Sequence, residues 1–185
     1  MSEIERFFLP PGKKCPDERR PLLYLSRRDL VNLYGNEDSN LKRNVTSPLL
    51  TSLGIMVGFE LLTKIWAGEP RVYNNTIKGF FKSALGLSEK EAEALTQFRH
   101  AIAHGYGLKA KPRKSRYYYY FTLSDSKAEN QFLKETKLRH FSINVWALKS
   151  FFISSIANYK KILLMDKALK AKFYKVKKHL EIIIR

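Results

Sequence analysis

Arg99, His100 and His104 sit close together in the stretch QFRHAIAHGYG, residues 97–107, and Tyr106 follows between two glycines. Two of the chain's four histidines are here. Arginine is a permanent cation whose planar fork matches phosphate oxygens, and imidazole is the side chain that titrates near neutrality. Together they suit acid–base chemistry on a phosphodiester. RNA brings its own nucleophile, the 2′-hydroxyl. A protein then needs only a group to move protons and a cation to hold the charge that develops at phosphorus.

Other chemistries fit less well. His100 and His104, at i and i+4, share a helix face as zinc-binding pairs do. But no Glu follows His100, and no neighbouring carboxylate or cysteine cluster offers a third ligand. The pattern therefore calls for no metal and no cofactor. The only cysteine, Cys15, is remote and lies in a proline-rich stretch, and no serine occupies a nucleophile elbow. The plainest alternative is a helix with Leu95, Phe98 and Ile102 buried and its polar residues facing water. Against it stand the segregation of polar from apolar positions and the five basic residues that follow at once. Lys109, Lys111, Arg113, Lys114 and Arg116 are candidates for holding an RNA strand.

Arg99, the polar residue at 100, His104 and Tyr106 resemble the Arg-x4-6-His signature of the HEPN superfamily, here in a variant ending His-x-Tyr. That resemblance implies a small α-helical protein acting as a metal-independent endoribonuclease, of the kind found in toxin–antitoxin, abortive-infection and CRISPR systems. It implies His104 as general acid/base, Arg99 as phosphate stabiliser, His100 as a supporting polar group, and Tyr106 as an auxiliary. In the His-x-Tyr variant a nucleotidyltransferase antitoxin adenylylates that tyrosine, which makes Tyr106 a modification target and such an enzyme a partner. A non-catalytic RNA-binding or regulatory module of the same family is the alternative. On an ideal helix Arg99 and His104 are roughly 140° apart. One helix thus aims them poorly at a single phosphate, and a homodimer placing two motif copies across a two-fold axis is expected.

The elements that must carry this motif are mostly helical. Pro48 after Ser47 opens a helix over about 48–67 that is apolar nearly all round and should be central. Ile77, Phe80, Phe81, Ala84 and Leu85 mark a second helix over 74–85, closed by Gly86. Ser88 to Glu91 is a capping box opening a third, over 89–104, which Gly105 or Gly107 ends. Asn144 caps a fourth to about Leu164, and a fifth basic helix runs over about 166–183. Between the third and fourth, RYYYYFTLS at 116–124 reads as a strand that can pair with His140–Ile143. Tyr117–Tyr120 could stack bases, although alternate strand residues more often pack a core. Glu60 is a lone acid in an apolar helix and could orient Arg99 or a histidine.

These signals predict an all-α up-and-down bundle over 41–185 with a small β-ribbon insertion at about 116–143, and the resemblance implies that the bundle is HEPN-like. Residues 1–40, with Pro10, Pro11, Pro16 and Pro21, read as an arm that packs on it, with a turn of helix near 27–34.

Composition sets the context. The net charge is +17, and residues 106–185 hold nineteen basic against five acidic groups, so +14 of it follows the motif. That asymmetry points to RNA before a membrane surface. A lone cysteine, an acidic N-terminus without a signal-length apolar core, and no run of ~18 apolar residues suggest a cytoplasmic protein without membrane association.

Overall fold

The structure, a computed structural model, describes residues 2–8, 19–21, 48–104, 108–112 and 115–183. The expected helical turn at 27–34 and the Ser47 cap lie outside them. So do Gly105 and Gly107, the expected ends of the third helix.

Helix α1 (Glu3–Phe7) opens the chain and strand β1 (Arg19–Pro21) follows. The helical core is α2 (Pro48–Ala67), α3 (Asn74–Ser83), α4 (Glu89–His104), α5 (Val145–Met165) and α6 (Lys167–Val176). Between α4 and α5 run β2 (Lys109–Ala110), β3 (Tyr119–Ser124), β4 (Leu133–Lys137) and β5 (His140–Asn144), and β6 (Glu181–Ile183) closes the chain.

Helix α2 is the hub, packing against α3, α4, α5 and α6. Its Ile55, Phe59, Leu62 and Ile65 are fully buried. Phe59 meets Phe152 of α5 edge-on at 4.9 Å and Phe81 of α3 at 5.4 Å. By length and mean hydropathy (1.4) this helix could cross a membrane, which a count of consecutive apolar residues does not reveal. Much of its surface, however, is covered by the other helices. It ends in a Schellman motif: Gly68 takes a left-handed φ of 75°, and the N–H of Glu69 donates to the Lys64 carbonyl.

The all-α expectation is overturned. The chain folds as a mixed α/β structure with a four-stranded sheet in the order β2-β3-β5-β4 and a second, two-stranded sheet of β1 and β6. The two aromatic segments do pair, but β5 lies parallel to β3, with Tyr120 opposite His140. The chain reaches that arrangement through β4, which runs antiparallel on the far edge of β5. Four strands share an apolar face where a lone ribbon would be marginal. Phe121, Leu133, Phe141 and Ile143 are all buried.

The last element also differs. Leu169, Phe173, Val176 and Leu180 point inward at helical spacing, but α6 stops at Val176 and a 3-10 turn leads into β6, antiparallel to β1. Tertiary pairing overrides the helical pattern at β-branched residues 182–183. At the other end, Ser2 and Glu5 form a capping box for α1, and Ile4, Phe7 and Phe8 enter the core, Phe7 edge-on to Phe173 at 5.3 Å.

Candidate nucleic-acid interface

Helix α4 begins as its capping box requires: the Ser88 N–H donates to Glu91 at 2.9 Å, and the Glu91 N–H donates back to the Ser88 hydroxyl at 3.3 Å. Leu95, Phe98 and Ile102 are buried as expected, and Ala101 joins them. Thr96 and Gln97 are buried too, Thr96 donating to the Ala92 carbonyl and Gln97 to Glu93. Only a narrow band of the final turns, with Arg99, His100 and Ala103, is half-buried.

Arg99 does not simply face water. Its guanidinium donates to the Glu60 carboxylate of α2 in a part-buried ion pair, and Glu60 also meets Lys64 at 3.3 Å. Burial pushes the Glu60 carboxyl up, but the Arg99 hydrogen bond and charge, with Lys64, outweigh it and hold it below its ordinary value. The carboxylate is therefore ionised at neutral pH and orients the arginine. His100 follows on the same helix, half-buried. His104 is the last residue of α4; its side chain, like all of Tyr106, Arg113 and Lys114, lies outside the described residues. Among the described residues, no three His, Cys, Asp or Glu side chains are grouped to hold a metal ion.

Five residues past the end of α4 the chain enters β2, and the sheet is tied to α4 beside Arg99, since Phe98 packs on Phe121 at 5.2 Å. Strand alternation then sorts the aromatic run. Phe121 turns inward, whereas Tyr118 and Tyr120 are 39% and 38% exposed on the opposite face. Lys109 and Lys111 share that outer face: the Lys109 ammonium lies 4.1 Å from the Tyr118 ring centre and 5.2 Å from that of Tyr120, and Lys111 lies 5.3 Å from Tyr118. Tyr120 in turn stacks on His140 at 4.6 Å, 15° from parallel.

Arg116 is placed elsewhere. It joins Tyr117, Tyr119, Arg139 and Glu93 around a cleft of about 500 Å³, with the Arg139 guanidinium 3.9 Å over Tyr117. Arg139 holds a left-handed φ of 59° in the tight β4–β5 turn, where glycine or asparagine is usual. The described basic residues thus divide between two surfaces. Of the described three, Lys109 and Lys111 face one way with two tyrosines, and Arg116 another.

Sequence reasoning missed His140 and Arg139 as partners of the tyrosines. The period-two alternation of β3 carried part of the signal, but the parallel register that brings His140 beside Tyr120 is a tertiary fact. Comparison with protein-family models, curated proteins and solved structures finds no match to this chain.

Proposed function

We propose that the protein is a metal-independent endoribonuclease of HEPN-like type, cutting single-stranded RNA in the cytoplasm as a toxin or defence effector. The observation that carries this reading is the arginine itself: Arg99 is oriented by an ionised Glu60 in the last turns of α4, five residues before His104, where the chain runs into the Lys109–Tyr118–Tyr120 surface. In the reaction the 2′-oxygen forms a bond to phosphorus and the P–O5′ bond breaks. The 2′-hydroxyl proton passes to a base and a proton returns to the 5′-oxygen, with His104 in the acid/base role and Arg99 bearing the equatorial charge. His100 supports the site, and Tyr106 is an auxiliary or the residue a nucleotidyltransferase antitoxin would modify.

The protein acts as a homodimer in this reading. Leu50 and Val57 are 61% and 45% exposed on a stripe of α2 that continues to Glu60 and Lys64. An apolar stripe beside the motif suits a two-fold interface that sets two copies of Arg99, His100 and His104 around one cleft.

A second reading is favoured by the same ion pair. Glu60 already balances the Arg99 charge, as it would in a non-catalytic RNA-binding module. One assay separates the two. Purified protein in excess EDTA should cut single-stranded RNA and leave 2′,3′-cyclic phosphate ends. Salt-dependent binding with no cleavage would establish the binding module instead, and cleavage that needs added zinc would overturn the metal-free chemistry.

A further inference from the structure

We propose that the outward face of the four-stranded sheet is a base-stacking platform for single-stranded RNA, with Tyr118 and Tyr120 as its rings and Lys109 as its exchangeable cover. The inference rests on RNA being the partner and adds the element that recognises it. Tyr118 and Tyr120 stand 6.3 Å apart, and His140 extends the series behind Tyr120. Two rows across this face are Lys109–Tyr120–His140–Lys137 and Thr122–Ser142–Lys134, and neither contains a carboxylate. Exposed rings beside lysines, in strand rows without a carboxylate, complement a polyanion that also carries flat bases.

The lysines decide how the surface works. In the free protein the Lys109 ammonium lies over both tyrosine rings. A cation–π contact at an exposed ring is weaker than stacking of a base on that ring. An arriving base therefore displaces the flexible lysine from the ring face, and the freed ammonium reaches the adjoining phosphate. The same group screens the rings from water when RNA is absent and binds the backbone when it is present. A duplex keeps its base faces stacked inside, and an acidic peptide offers the rings no flat partner, so a single strand fits this face best.

Anisotropy of a labelled 12-nucleotide single-stranded RNA tests the platform against its duplex and an acidic peptide. The doubly substituted Tyr118→Leu/Tyr120→Leu protein should bind the single strand at least ~10-fold more weakly, with an unchanged salt slope. Tyr118→Phe/Tyr120→Phe keeps the rings and should bind within about two-fold of the parent. Lys109→Ala should lower the salt slope by about one. If the parent binds RNA and the leucine pair binds equally well, the platform is wrong while the RNA reading stands. Duplex or acidic peptide bound as tightly as the single strand overturns base stacking as well. A parent that binds no RNA at low salt removes both the platform and the reading beneath it.

Discussion

The Glu60 carboxylate on α2 accepts a hydrogen bond from the Arg99 guanidinium on α4, joining the core helix to the motif helix across 39 positions of sequence. The pair is part-buried, so both partners have left most of their water, and removing either leaves the other's desolvation less fully repaid.

Glu60→Gln should therefore destabilise the fold at pH 7 by about 1.5–3 kcal/mol, the range for a hydrogen bond to a charged group. The carboxyl sits below its ordinary value of 4.5. Its stabilisation is present in full above that pH and is lost as pH falls through the folded-state value. Urea unfolding of both proteins at pH 7 and at pH 3 should show the gap narrow on acidification. A gap that widens would mean the carboxylate is not held by the cation.

For catalysis, Arg99→Ala and His104→Ala should each lower RNA cleavage by about 10²-fold or more, the scale for an acid/base or charge-stabilising group. Circular dichroism should show the helices retained. Arg99→Lys keeps the charge but not the fork, and should recover only part of the loss. Parent-like rates in both alanine variants would remove these residues from the mechanism.

Light scattering at micromolar protein should give about twice the 21.6 kDa chain mass. Val57→Glu, on the exposed stripe of α2, should shift the protein to monomer and reduce cleavage with it. A monomeric parent that cuts RNA would eliminate the shared cleft.

A Cβ placed on Gly58 would lie 2.1 Å from Cζ of Phe152, so α2 and α5 meet with a ring against bare backbone. Gly58→Ala should destabilise by roughly 1–3 kcal/mol through overpacking. Adding Phe152→Leu should recover part of that, because the smaller side chain vacates the ring's space. Strict additivity of the two changes would show that they do not share this contact.

Asn144 does two jobs at the sheet–helix junction. Its Oδ1 accepts from the Ala147 N–H as the N-cap of α5, while its Nδ2 donates to the carbonyls of Ser126 and Glu129. Asn144→Ala should lose about 2–4 kcal/mol, combining a cap with loop hydrogen bonds in a buried site. Asn144→Asp keeps the cap acceptor but turns a carboxylate toward two carbonyl oxygens, and should recover little. Thermal melts of the three proteins would decide it, and an Asp variant as stable as the parent would show that the loop contacts contribute nothing.

Features that act over a few neighbouring residues were readable in the sequence alone. The spans of α2 and α4, the Ser88–Glu91 box, the Asn144 cap and the inward stripe of α6 all follow from i to i+4 periodicity and side-chain hydrogen bonds to adjacent backbone. Alternation within 119–124 was legible for the same reason. Partners far apart in sequence were not. Nothing local says that Tyr120 lies beside His140 in parallel, that the sheet has four strands rather than two, or that residues 181–183 leave a helical pattern to pair with 19–21. Glu60 was visible as an anomaly, but the choice of Arg99 as its partner was made by the packing of α2 on α4. The tertiary structure decided these because strand register and buried ion pairs minimise free energy only when the whole core closes, burying the apolar face and leaving Tyr118, Tyr120 and Lys109 on the other side.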